Sequence, residues 1–198
     1  MLAATLCLSL PSLAMASTTQ VGVKDFAFDT KVVTIAVGDS VHWSRDSGSV
    51  APHTVTANNG FFNKTFSAGD SIDLTVAFAA GTFRYYCQYH GAAQGQGTYG
   101  MIGFVKVPDL VVAAPSGTPF TVQWATSTAT TGSSYDVEYR IGSGSWQSWE
   151  TKTKLLKAVF GKNGKPIPAK SGTAYSFRSR ARTSKGASLW SPVAAFTP

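Results

Sequence analysis

The chain has 198 residues, with 17 Lys plus Arg against 10 Asp plus Glu, a net charge of +7 and 43% hydrophobic residues. That length exceeds one small β-sandwich and suits a short leader followed by two domains of roughly 90 residues each. The only long apolar run is broken by Pro11 and falls short of the roughly 20 residues that cross a bilayer, so no transmembrane segment is expected in the mature chain.

The N-terminus reads as a leader. Leu2 to Leu10 is apolar, and Ala14-Met15-Ala16 supplies the small-residue pattern of a signal-peptide cleavage site, which places the cut between Ala16 and Ser17. The basic opening of such leaders is missing from Met1-Leu2-Ala3. An exported protein follows: secreted, periplasmic or at the cell surface. Removing residues 1–16 takes Cys7 away and leaves Cys87 as the one Cys of the mature chain. An unpaired thiol in an oxidising compartment is a hazard unless something occupies it.

Residues 17–108 carry strand signals. Lys31–Val37 alternates with Val33, Ile35 and Val37 on one face, and Ser71–Phe78 alternates with Ile72, Leu74, Val76 and Phe78. Turns at Gly38-Asp39, Asn58-Asn59-Gly60 and Ala68-Gly69-Asp70 punctuate them, and no amphipathic helix of useful length occurs in the chain. The fold class is therefore all-β.

The same region holds an unusual donor set. Cys87 and His90 stand in Arg84-Tyr85-Tyr86-Cys87-Gln88-Tyr89-His90-Gly91, His53 in Pro52-His53-Thr54-Val55, and Met101 in Gly100-Met101-Ile102-Gly103. The two-residue period puts Cys87 on the face of Phe83 and Tyr85, toward a core. Cys-x-x-His lets a thiolate at a strand end and an imidazole in the next loop reach one ion. A thiolate, two imidazoles and a weak axial sulfur suit copper in a one-electron site; zinc would call for a fourth strong ligand.

With Phe26-x-Phe28, Val33-x-Ile35, Gly38-Asp39-x-Val41-x-Trp43, Pro52-His53-x-Val55, Gly81-Thr82-Phe83-x-Tyr85-x-Cys87-x-x-His90 and Met101-x-Gly103, residues 17–108 resemble the cupredoxins, most nearly the plastocyanin and amicyanin-like proteins. The resemblance implies a Greek-key β-sandwich holding one type 1 copper, with His53, Cys87 and His90 as equatorial ligands and Met101 axial. Two features depart from the pattern. Ten residues, Gly91 to Gly100, separate His90 from Met101, so Gln94 and Gln96 are alternative axial donors. Thr54 stands where plastocyanins and azurins commonly carry an Asn that ties the ligand loops, and its hydroxyl would donate over a shorter reach.

From Asp109 the composition shifts toward Ser, Thr and Lys. Phe120-x-Val122-x-Trp124, Tyr135-x-Val137-x-Tyr139, Tyr175-x-Phe177 and Trp190-Ser191-Pro192 make residues 109–198 resemble a fibronectin type III domain, an immunoglobulin-like β-sandwich. The resemblance implies that Trp124 is the core Trp and Tyr175 the corner tyrosine. Residues 17–108 carry six basic and six acidic groups, whereas residues 109–198 carry eleven basic and four acidic, 11 − 4 = +7. Arg178, Arg180 and Arg182 share a strand face opposite Asp136 and Glu138, so cross-strand ion pairs account for most of them. The lysines between Lys152 and Lys170 are left to meet an anionic surface or polymer. No nucleic-acid recognition motif accompanies the charge.

The three His are His42, His53 and His90. His42 alternates with Val41 and Trp43 and faces outward, and one spare imidazole cannot build a second, catalytic copper centre. The sequence thus reads as a monomeric, non-enzymatic carrier of single electrons between redox partner proteins, with a patch of Ala92, Ala93, Tyr99 and Met101 around the His90 edge. The alternative is a copper-storage or surface-attachment protein. Asn63-Lys64-Thr65 is a glycosylation sequon of consequence only in a eukaryotic secretory pathway.

Overall fold

The computed structural model describes residues 15–67, 73–93, 100–114 and 118–198. The leader residues 1–14, with Cys7, and the loop residues Gln94, Gln96 and Tyr99 lie outside the described residues. Apart from two short 3₁₀ turns, the regular structure described is all strand.

Two sheets enclose the first core. One runs β2-β1-β4-β7, built from β1 (Thr18–Lys24), β2 (Ala27–Phe28), β4 (Ser40–Arg45) and β7 (Asp73–Ala77). The other runs β3-β9-β8-β5-β6, from β3 (Val32–Thr34), β5 (His53–Ala57), β6 (Asn63–Phe66), β8 (Gly81–Gly91) and β9 (Gly100–Val107). β1 pairs with β4 in parallel, as does β3 with β9, and the remaining pairs are antiparallel. Alternation sets the inward face: β4 buries Val41 and Trp43, and β9 buries Met101, Gly103, Val105 and Val107. Trp43 lies edge-on to Tyr85, with ring centroids 5.2 Å apart, and the cluster continues through Phe62, Phe78 and Phe83. Gly103 is fixed by this packing, because a Cβ there would enter the Tyr85 ring.

The strand expected over Lys31–Val37 is shorter, Val32–Thr34. Pairing persists to Ile35, whose N–H reaches Lys106 O, and then Asp39 takes over the backbone. Its carboxylate accepts from Ala36 N at 3.2 Å, Asp39 N donates to Ala36 O, and Gly38 adopts φ 89°, so the chain turns before Val37 can extend the ladder. The second expected strand is observed over Asp73–Ala77, with Ile72 outside the described residues.

The remaining strands build a second pair of sheets. β10 (Leu110–Val112), β11 (Phe120–Gln123) and β14 (Lys157–Phe160) form one. β13 (Gln147–Thr153), β12 (Ser134–Ile141), β15 (Tyr175–Thr183) and β16 (Gly186–Ala187) form the other, with β17 (Ala194–Phe196) also on β15. Trp124 is fully buried and its Nε1 donates to Leu155 O at 2.6 Å; the Tyr175 hydroxyl accepts from Lys170 N at 2.9 Å. The register sets Arg178 opposite Glu138 and Arg180 opposite Asp136, and both form ion pairs, at 2.6 and 2.7 Å; Arg182 reaches Asp136 at 3.2 Å. Arg140 stacks on Trp146 instead, and Arg178 lies between Trp146 and Trp190. Among the described residues, the lysines from Lys152 to Lys170 form no ion pair.

The two sandwiches meet end to end. Ala80 N donates to Trp124 O at 2.7 Å, Thr130 N to Ala77 O at 2.9 Å, and Thr82 and Leu189 exchange a pair of bonds at 3.0 and 3.1 Å. Asn59 Nδ2 donates to Ala187 O at 2.6 Å. This junction lies at the start of β8, six residues before Cys87, or about 20 Å along an extended strand.

Candidate metal centre

His53, Cys87 and His90 converge at the far end of the first sandwich, with their ligand atoms all within 4.8 Å of one another. His53 opens β5; Cys87 and His90 lie near the end of β8. Cys87 Sγ is 3.8 Å from His53 Nδ1 and 3.6 Å from His90 Nδ1, and the two imidazoles meet edge-on at 5.1 Å. His53 and Cys87 are fully buried, whereas His90 is half-buried. Thr54 N donates to Cys87 Sγ at 3.3 Å, so the sulfur sits in a dry pocket with one backbone dipole aimed at it.

Met101 is buried, 1% exposed, near the start of β9. It follows Gly100, which pairs with Gly91 beside His90. Gly91 is required there, because a Cβ would collide with the Met101 carbonyl. The chain therefore brings the thioether residue to the same end of the sandwich as the other three. Gln94 and Gln96 lie outside the described residues.

The loop that delivers His53 is held from two sides. Arg45 donates to the carbonyls of Ser49 and Ala51 at 3.2 and 3.3 Å, and to Ser67 O at 2.9 Å. From the other side the Asp25 carboxylate accepts from Ser49 Oγ at 2.7 Å, Ala51 N at 3.0 Å, Val50 N at 3.1 Å and His53 Nε2 at 3.0 Å. These bonds, that from Ser49 foremost, hold the Asp25 carboxyl far below the usual carboxylate range. An ionised acceptor at Nε2 favours a proton on that nitrogen and leaves Nδ1 facing the sulfur. Burial, reinforced by the nearby His53, lowers the pKa of His90, while Asp25 opposes the shift; the net effect favours the neutral, ligating imidazole.

Sequence reasoning found the three converging residues and missed Asp25, Arg45 and Ser49. Of the apolar rim expected around His90, Ala92 and Met101 are buried and so do not form it, Ala93 is half-buried, and Tyr99 lies outside the described residues. Among the described residues, the exposed apolar side chains at this end are Phe26, 65% exposed and edge-on to His90 at 4.8 Å, with Tyr89 and Val50. His42 is half-buried on β4 and bonded to Thr75 Oγ1 at 2.9 Å, away from the cluster.

The donor set fits a soft metal ion. A buried cysteine sulfur and two imidazoles converge, and the Asp25 carboxylate is engaged by His53 Nε2 and the loop backbone rather than joining them.

No protein-family model matches this chain. No curated protein matches it either. Among solved structures, amicyanin from Paracoccus versutus is 27% identical over 48% of this chain and 82% of its own, with a TM-score of 0.35. A heme-copper terminal oxidase dimer is 19% identical over 46% of this chain, which spans just 64% of that chain's length, again at 0.35. The FN1–FN3 domains of chicken CNTN1 are 11% identical over 85% of this chain and 68% of theirs, also at 0.35. These likenesses are slight, and the functional reading rests on the donor set.

Proposed function

We propose that this protein is an exported type 1 copper protein that passes single electrons between partner proteins. The observation that carries this reading is the convergence of one buried Cys and two His Nδ1 atoms, with a buried Met arriving at the same end of the sandwich. His53 Nδ1, Cys87 Sγ and His90 Nδ1 would hold the ion, with Met101 as weak axial donor. Bound copper would supply the one-electron Cu(II)/Cu(I) couple. Zinc suits the set less well, since no fourth His, Cys, Asp or Glu joins the cluster among the described residues.

The protein's own contribution is to hold the donors still and dry. Thr54 N and Asp25 fix the sulfur and the first imidazole, and burial keeps water from His53 and Cys87. The half-buried His90 is the route outward, and the exposed rings of Phe26 and Tyr89 give its surroundings an apolar surface for a redox partner. The free lysines of the second sandwich are the docking groups for an anionic surface or polymer.

Visible absorption of the purified chain with one equivalent of Cu(II) tests the reading. An intense thiolate-to-copper band that disappears in Cys87→Ser is expected, because a hydroxyl is neither soft nor readily ionised. Fast electron self-exchange would mark a carrier, whereas a redox-silent site would favour copper storage. A colourless loaded protein would overturn the proposal.

A further inference from the structure

The turn between β1 and β2 touches both histidines. The register Val23↔Phe28 and Lys24↔Ala27 leaves Asp25 and Phe26 as a two-residue loop. Phe26 adopts φ 67°, a left-handed conformation that hairpin loops normally give to Gly, Asn or Asp and that is an outlier for a bulky side chain. Burial does not account for a ring that is 65% exposed. What the strained backbone achieves is placement: the ring sits edge-on to His90, centroid to centroid 4.8 Å at 80°. The preceding residue sends its carboxylate the other way, onto His53 Nε2 at 3.0 Å.

We infer that the Asp25-Phe26 turn is a two-armed positioning device for the metal centre, Asp25 setting the tautomer and plane of His53 and Phe26 setting the plane of His90. The inference rests on the copper reading above. Asp25 is well suited to the task, because Ser49 Oγ, Val50 N and Ala51 N hold the carboxylate rigid before His53 reaches it. A carboxylate behind a ligating imidazole fixes the ring and raises its basicity. Since the two residues are adjacent in a tight loop, the orientations of the two imidazoles are mechanically linked through one peptide. Strained backbone of this kind collects at functional sites, and a Gly in place of Phe26 would suit the loop better if fold alone mattered.

The test uses the full chain in three forms: wild type, Asp25→Asn and Phe26→Gly. Wild-type colour with Cu(II) is read first, and its absence would defeat the copper reading rather than this one. In the copper-free protein, imidazole ¹⁵N NMR should show the His53 proton on Nε2; a proton on Nδ1 would overturn the role of Asp25 whether or not copper binds. In Asp25→Asn, Cu(II) affinity should fall tenfold or more and the reduction potential should rise, because a less basic imidazole stabilises Cu(II) less. Phe26→Gly should unfold at or above the wild-type temperature and yet change the visible band ratio and the copper EPR splitting. Either variant matching wild type in affinity, potential and spectrum would overturn the arm that it removes.

Discussion

Thr54 Oγ1 accepts a hydrogen bond from Gln88 N at 2.8 Å, which ties the strand that begins with His53 to the residue after Cys87. The sequence suggested a hydroxyl donating across this gap; it accepts instead, and Thr56 Oγ1 is hydrogen-bonded on its other side at 2.9 Å. With Thr54 N on Cys87 Sγ, one residue clasps both sides of the thiol.

Thr54→Val keeps the shape and removes the acceptor. It should cost about 1–3 kcal/mol, the usual penalty for a hydrogen-bonding group left unpaired in a partly buried site, whereas Thr54→Ser should cost less than half of that. Urea unfolding of the copper-free protein measures both. Equal stability of the Val variant would show that the clasp is idle.

Met101→Gln should retain copper and colour and lower the reduction potential, since an amide oxygen is a harder donor that favours Cu(II). Voltammetry of the loaded protein reads the change. If Gln94→Ala or Gln96→Ala moves the potential while Met101→Gln does not, the axial donor comes from the loop instead.

Asp109, in the two-residue connection between β9 and β10, is buried and bonded by Ser179 Oγ, and burial pushes its carboxyl up to about 7. Because the folded form holds the proton more tightly than the unfolded chain, this group contributes most below its ordinary pKa of 3.8. The contribution is lost as pH rises through about 7. Asp109→Asn should abolish that slope and be the more stable form at pH 8, as thermal unfolding from pH 5 to 8 would reveal. Parallel slopes for the two proteins would contradict it.

A fragment spanning Ser17 to Pro108 should fold, bind one copper and give the full-length spectrum, because every proposed ligand lies in it and the junction sits at the opposite end. It should unfold at a lower temperature than the whole chain, since separation uncovers the backbone groups of Ala79, Ala80 and Thr82. A colourless or unfolded fragment, restored by adding residues 109–198, would mean that the second sandwich helps to build the site.

What was legible in the sequence follows the reach of local rules. Cys-x-x-His and strand alternation bring Cys87 and His90 together, and the arginines of β15 found their acids because cross-strand register is periodic. Alternation does not run through Phe26-x-Phe28, where Phe28 is buried and Phe26 exposed, because Phe26 itself adopts a positive φ in the turn. Asp25, Arg45 and Ser49 were silent for a different reason. Each acts through a contact that only the tertiary fold creates, and an Asp in a turn is otherwise unremarked.

Peptide groups make one part of the junction between the sandwiches, Ala80 N to Trp124 O, Thr130 N to Ala77 O and the Thr82–Leu189 pair, and the side chains of Asn59, Thr131 and Thr183 make the other. The peptide part of this joint is indifferent to side-chain identity and acutely sensitive to chain length. Replacing Thr130 or Leu189 leaves the bonding main-chain atoms where they are. Inserting a single residue between Gly81 and Cys87 is another matter, because a slip of one reverses every side chain downstream on β8. The thiol would then face solvent, so the spacing from the joint to the sulfur, more than the chemistry of the joint, is what this architecture cannot change.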